Sequence, residues 1–480
     1  MAGGLLFLAV IGLYLAWETG RGSAQGQTPS KGEERSFVLL WPGPFPDPGA
    51  WYGVRSSSGF PDAPLWGDWL YESLLKPSPE GWQPGLAVSM EKEGEGTYTL
   101  RLDPHATWSD GSPLTAEDVA RAIMAVRDDP QSPYREAALA LREGGIGWRE
   151  EGGESLLTLS FENPPAGKAL FALLTMGIGP GPERPGLTSG PYAMEKAGNG
   201  LRLTPRREGL PPVELRPLSG EVSLKDLGGR FHAFPLEGPG FPKGVDLWAM
   251  PRPSLTYLAL NARVQPVNTT LTLPLRQALR ASLAPMAGKS QVPFLLPAVS
   301  PLPRGNWAAP SLEVSPPAGD PQRLFQEAGV DPRELKLPLA YLAEDPYQEE
   351  LAREVAAALA KQGVEVDLTP MDAPTFARQV FLRKSFALAL LPWSAEGEGI
   401  LPQLLWPGSL LALTGGKGEK LQALGAWEGE VPELPRLLEL YRQAWDEAEA
   451  QALLLPLRQL AQVWAAAPGI DLSPLGFQRP

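Results

Sequence analysis

From Thr97 to Leu102 the apolar residues alternate, with Tyr98, Leu100 and Leu102 on one side, the two-residue period of a strand with one buried face. A turn follows at Asp110-Gly111. Thr115, with Asp118 three residues on, then forms a capping box for a helix that carries Val119, Ala122, Ile123 and Val126 on one face. Earlier in the chain, Phe37 to Trp41 is a short apolar run closed by Pro42-Gly43-Pro44. It reads as a buried strand entering a loop rich in aromatics, with Trp41, Trp51 and Tyr52.

The second half repeats one pattern. Leu337 to Leu342 is a largely apolar strand, and Asp345-Pro346 supplies an N-cap and a proline at the first helical position. Tyr347, Leu351 and Val355 face one way, and Gly363 ends the helix. Val364 to Leu368 alternates, Asp372-Ala373-Pro374 starts another helix, and Phe386 to Leu391 is apolar throughout, as a parallel strand covered on both faces must be. Strand, helix, strand, helix, strand implies a parallel sheet with right-handed crossovers. The stretch Glu433 to Ala467, interrupted by Pro456, reads as a pair of packed helices.

Composition narrows the chemistry. The 480 residues include 52 glycines and 54 prolines, so the protein is loop-rich, and its length suits two to four core units. With 42 Lys and Arg against 55 Asp and Glu it is acidic, and no basic run tracks a phosphate backbone, so nucleic acid is a poor partner. No cysteine exists, which excludes disulfides, thiolate catalysis, Cys-ligated metal and a lipid anchored on an N-terminal Cys. His105 and His232 are the only histidines, too few for a His-based metal centre.

Leu5 to Trp17 is an uninterrupted apolar run, shorter than the ~20 residues that span a bilayer but suited to the apolar part of an export signal. A small-residue site, Gly22-Ser23-Ala24, follows it, and residues 25–36 read as a flexible linker. The readings open here are a cleaved signal, an uncleaved anchor and a buried helix.

The segment Trp108, Asp110, Gly111, Pro113, Leu114, Thr115, Ala116, Asp118, Val119 resembles the signature of the extracytoplasmic solute-binding proteins, family 5, of peptide ABC transporters. Further features of that family recur in order: Tyr71-Glu72-Ser73-Leu74, Gln83-Pro84-Gly85-Leu86-Ala87, Ser189-Gly190-Pro191-Tyr192, Leu255 to Asn261, Arg276-Gln277-Ala278-Leu279 and Ala467-Pro468-Gly469-Ile470. Two positions depart from it. Arg206 and Arg207 replace the usual Asn and aromatic pair, and Gly229-Arg230-Phe231-His232 replaces a Gly-Glu-x-Asp turn.

The resemblance implies a two-lobed α/β fold of the periplasmic-binding-protein type (type II, with the extra subdomain of its larger members) and mixed sheets joined by a hinge. The corresponding partition is residues 1–24 signal or anchor, 25–36 linker, 37–258 plus 467–480 lobe I, and 259–466 lobe II. It places the hinge at the strand Thr256 to Asn261, with Leu260 and Asn261, and at the return near Ile470. In open α/β sheets ligands sit beyond the carboxyl ends of strands. Two loops there carry carboxylates: Glu344 after one strand, and Glu396 and Glu398 after another.

In the family a Trp-x-x-Asp holds a peptide's α-ammonium. Trp393-Ser394-Ala395-Glu396 matches that spacing with Glu for Asp, which makes Glu396 the principal anchor and Trp393 a residue that stacks on ligand or closes the core. Trp41 and Gly43 complete the candidate set. The implied function is capture of a peptide or related solute, as a monomer outside the cytoplasm, for an ABC permease, with no cofactor, no metal and no covalent chemistry. The alternatives are an oligosaccharide or metal-chelate binder of the same family and an extracytoplasmic serine hydrolase. For the hydrolase, Ser73-Leu74-Leu75-Lys76 matches S-x-x-K, but K-T-G is missing and Ser73 reads as a helix-surface position.

Overall fold

The alternating and helical patterns of the first half build one small layered unit. In the computed structural model, which describes residues 36–479 apart from 43–44, 46–68, 131, 165, 182, 219, 221, 237–241, 264–269, 288–294, 316–318, 395–412 and 426–433, strand β1 (Phe37–Trp41) comes first. A hairpin of β2 (Leu75–Ser78) and β3 (Gly81–Pro84) follows. Next are β4 (Ala87–Gly94), β5 (Thr97–Leu102), helices α1 (Ala116–Asp128) and α2 (Arg135–Leu139), then β6 (Leu141–Glu151), β7 (Glu154–Phe161) and α3 (Gly167–Thr175). β4-β5-β7-β6 form an antiparallel sheet. On α1 the expected capping box closes: the Thr115 hydroxyl accepts from Asp118 N, and the Asp118 carboxylate accepts from Thr115 N at 3.0 Å. Val119, Ala122, Ile123 and Val126 are all buried on its inner face.

The remaining chain builds one long mixed sheet. It contributes β8 (Tyr192–Ala197), β9 (Gly200–Pro205), β10 (Val213–Pro217), β11 (Ala233–Pro235), β12 (Asp246–Leu260), α4 (Leu273–Ser282), β13 (Leu295–Pro297) and α5 (Pro321–Glu327). Then come β14 (Lys336–Leu342), α6 (Pro346–Ala360), β15 (Glu365–Met371), α7 (Ala373–Phe376), β16 (Leu388–Ser394), α8 (Glu419–Gly425), α9 (Leu434–Ala450) and β17 (Leu454–Ala466). The strand order is β15-β14-β16-β12-β17-β11-β1-β10-β9-β8, with β13 on β17. β14 runs parallel to both β15 and β16, as the strand–helix alternation requires. The Asp345 carboxylate caps α6 by accepting from Tyr347 N and Gln348 N, and Gly363 past the helix end adopts φ +96°.

Two expectations fail. Glu433 to Ala467 is not a helix pair: α9 is helical, but Leu454–Ala466 is a strand and sits near the middle of the sheet. Apolar runs of this length do not separate strand from helix by pattern alone, and β17, buried along most of its length, takes its conformation from pairing with β12, β13 and β11. Pro456 is tolerated because the register slips there, with Thr256 opposite Arg458 and Tyr257 opposite Pro456. Ser73 is not on a helix either. It lies in extended chain bridged to Gly177, held because Gly85 comes so close to the Ser73 carbonyl that no Cβ fits between them.

Three large apolar clusters result. One joins α1 and the β4–β7 sheet to β12, β16 and α9; a second lies between α4, α6 and the β14–β16 half; the third lies under β1, β8–β10 and the chain end at Leu472 to Phe477. No helix among the described residues is long and apolar enough to cross a membrane.

Burial of several phenols gives a pH test. The Tyr192 hydroxyl, desolvated and donating to Pro211 O at 3.0 Å, is pushed up to about 12, and burial also raises Tyr71, Tyr257 and Tyr441. A raised phenol keeps its proton in the folded state after the unfolded chain loses it near pH ~10, so the stabilisation is whole below that pH and lost above it. Ultraviolet titration should show fewer than all ten tyrosines ionising near pH ~10, and the denaturation midpoint should fall between about pH 10 and 12. Full ionisation near the lower pH without unfolding would contradict the burial.

Candidate functional site

Strand directions, followed across the sheet, define where a site can form. β12 is antiparallel to both β16 and β17, β17 is antiparallel to β11, and β11 is parallel to β1. β16 pairs with the second half of β12, ending with Ser394 opposite Ser254, whereas β11 is tied through β17 to its first half, with Pro235, Trp464 and Trp248 in line. β1 and β16 therefore run toward each other from opposite halves of the sheet. Their carboxyl ends are separated by about six residues of β12, roughly 20 Å or less. Carboxyl ends converging on a gap are where α/β sheets bind ligands.

The sequence candidates divide as follows. Trp393, the penultimate residue of β16, is buried among Tyr257 and Leu391 in the first apolar cluster. Glu344 is exposed in the turn after β14, and the parallel register of β14 and β16, with Leu339 beside Leu388 and Ala340 beside Ala389, brings it out at the same edge as Trp393. Trp41 closes β1 with 1% of its surface exposed and its ring 5.5 Å from that of Trp464. Leu260 N donates to Leu453 O at 2.8 Å. Asn261, fully buried, donates through Nδ2 to Lys384 O at 2.9 Å and accepts at Oδ1 from Arg263 N at 3.0 Å. Ile470 packs at the edge of the cluster that holds Trp41 and Trp464. Glu396, Glu398 and Gly43 lie outside the described residues.

The two arginines that depart from the family pattern have work of their own. The Arg206 guanidinium donates to the carbonyls of Thr188 (3.2 Å), Gly190 (2.9 Å), Thr107 (2.6 Å) and Trp108 (3.1 Å), and to Thr107 Oγ1 at 3.1 Å. It thus ties the turn before β8 to the signature turn at Trp108. Burial, and then the charge of Arg207, pull its pKa below the ordinary arginine range. Gly190 completes the junction, since a Cβ there would stand 2.6 Å from the Leu70 backbone. Arg207 pairs with the buried Glu72, which also meets Lys76 Nζ at 2.6 Å. In the signature turn itself, hydrogen bonds from the Ser112 side chain and backbone, reinforced by Arg184, hold the Asp110 carboxyl below the usual range.

These contacts also bear on the hydrolase pattern. Lys76 is engaged with Glu72, and Ser73 Oγ donates to Leu75 O at 3.1 Å, so the pair is not arranged as nucleophile and base. Among the described residues no cluster of three or more His, Asp or Glu could hold a metal ion. His232 Nδ1 accepts from Val38 N at 2.9 Å, and His105 sits in an exposed turn.

The fold is that of the two-lobed solute-binding proteins. It is similar to MppA, a periplasmic murein tripeptide binding protein in an unliganded open form (18% identity, TM-score 0.68, covering 92% of this chain and 95% of that one). A nickel ABC transporter protein from Bacillus halodurans (16%, 0.66, 92% and 98%) and a putative peptide binding protein, AppA, from Clostridium difficile (16%, 0.61, 91% and 95%) share it. Residues 81–202 match the family model of bacterial extracellular solute-binding proteins, family 5, middle region, the family whose signature the segment Trp108 to Val119 resembles. No curated protein sequence matches the chain.

Arg206 is testable directly. Arg206→Ala leaves four carbonyls without their charged donor and should cost about 3 kcal/mol in denaturant unfolding. Arg206→Lys should recover little, because an ammonium cannot reproduce the fork. Unfolding midpoints unchanged in both variants would show that water serves those carbonyls equally well.

Proposed function

We propose that the protein captures a small solute, a peptide or a related compound, outside the cytoplasmic membrane and passes it to an ABC permease. The observation that carries this reading is the convergence of the carboxyl ends of β1 and β16 on the gap spanned by β12. On this reading the two halves of the sheet are two lobes. We draw the division between them through β12 at Arg252 to Ser254 and through β17 at Leu457 to Gln459, where the register of the pair shifts, in place of the expected boundaries at residues 258 and 466.

Peptide is favoured because the similar structures include a murein tripeptide binder and a putative peptide binder, and because Trp393 and Glu396 keep the Trp-x-x-acid spacing. Glu396 would meet a ligand's ammonium in a charge-assisted hydrogen bond, desolvated when the lobes close. Closure follows from tighter binding to the shut state, and the permease reads that state. The apolar run Leu5 to Trp17 serves export. A nickel-chelate reading draws on the similarity to the Bacillus halodurans protein; with two histidines, such a ligand would arrive already chelated.

Native mass spectrometry of undenatured protein should reveal retained cargo of peptide mass. Calorimetric titration with that cargo should then weaken by roughly tenfold or more in Glu396→Gln, the loss of one charged contact. An unchanged affinity would remove Glu396 from the site, and cargo that is sugar or metal chelate would replace the peptide reading.

A further inference from the structure

β12 and β17 do not cross from one half of the sheet to the other as regular strands. On β12, Pro251 pairs with Ala461 and Leu255 with Gln459, so Arg252, Pro253 and Ser254 bulge out opposite the single residue Leu460. On β17, Leu457 is skipped between Arg458 and Pro456. The neighbours change at the same level: below it β12 is flanked by β16, while above it Ala249 bridges to Gln478 at the chain end. Both crossing strands are irregular at the one place where a hinge has to absorb backbone rotation.

One side chain spans this irregularity. Gln459, 1% exposed, donates through Nε2 to the bulge carbonyl of Arg252 at 2.8 Å and to Arg304 O at 3.2 Å, and accepts at Oε1 from Arg304 N at 2.7 Å. Its amide therefore joins three segments: β17, the β12 bulge and the loop that follows β13. A bulge carbonyl outside the ladder has no strand partner to fix its rotation, and a buried amide that donates to it or releases it selects between backbone states.

We propose that Gln459 is a positioning residue for lobe movement. By holding the Arg252 carbonyl it sets the balance between open and closed forms without touching the ligand. This rests on the two-lobe reading given above. A buried amide elsewhere, Gln348, serves as the comparison: 2% exposed, it accepts from Leu342 N at 3.1 Å and donates to Asp345 Oδ2 at 3.1 Å within the β14–α6 unit, away from the crossing.

The chain has no cysteine, so spin labels at Lys196→Cys and Lys361→Cys, both exposed and toward opposite ends of the sheet, report the interlobe distance without background. In the full chain, Gln459→Met should broaden or shift that distance distribution by several ångström, and Gln459→Glu, which keeps the acceptor but not the donor, should do the same. Gln348→Met should lower the unfolding midpoint and leave the distances as in the parent. Equal distributions for the parent and both Gln459 variants, with the parent itself broad, overturn the role of Gln459 and leave the lobes standing. A single narrow distance common to the parent and both Gln459 variants overturns the two-lobe reading and the inference together. Broadening by Gln348→Met as much as by Gln459→Met reduces Gln459 to an ordinary stabilising residue.

Discussion

The antiparallel pairing of β12 with β17 is the interaction on which the rest of the structure depends. These two strands, fifteen and thirteen residues long, join the halves of the main sheet as a pair: β12 carries β16 on its outer side, β17 carries β11, and the two pair with each other from one half into the other. Their inner residues, Leu255, Tyr257, Leu258, Ala259, Leu454, Leu455, Leu457 and Val463, are almost fully buried. A pair covered on both faces has no water to satisfy its backbone, so the ladder must form nearly everywhere. At the bulge of Arg252 to Ser254, where the ladder breaks, the buried Gln459 amide donates to the Arg252 carbonyl at 2.8 Å, and the half-buried Gln462 accepts at Oε1 from Arg252 Nη2 at 2.7 Å.

Directionality follows from that pairing. Because β12 and β17 are antiparallel, the halves they join present strands of opposite sense, and the carboxyl ends of β1 and β16 meet across the gap. A site for a small guest then needs no dedicated scaffold, since the same geometry that closes the sheet leaves loop ends facing each other. Binding residues on such loops are free to vary while the strands beneath stay packed. That separation accounts for a chain under 20% identical to proteins of the same fold that bind a murein tripeptide or belong to a nickel transporter.

Arg206 and Glu72 show how a departure from a family pattern is absorbed. Where an Asn and an aromatic would ordinarily stand, Arg206 gathers four carbonyls from two turns, and Arg207 joins Lys76 on a buried carboxylate. A planar guanidinium suits the first task because its donors radiate in a fixed fork. The second is possible because a carboxylate shielded from solvent is stable only when paired on more than one side. The junction between the signature turn and β8 is held by charge where packing would otherwise serve.

Local pattern alone settled much of this protein: the strand at residues 97–102, the capping box of Thr115 and Asp118, the Asp345 cap, and the parallel trio β14, β15 and β16. Each is decided within a few residues by side-chain period or by a cap reaching its own helix, and neither depends on distant contacts. Trp393 and Glu344 were legible as candidates because strand ends in a parallel sheet point one way. β17 and Ser73 were not legible. A run of leucines with alanine and glutamine becomes a helix or a strand according to what flanks it, and only pairing with β12 decided the latter. The bulge at Arg252 to Ser254 was equally hidden, since its partner Gln459 lies some two hundred residues away and nothing in either segment marks the other; its place emerges only when the two long strands are laid side by side.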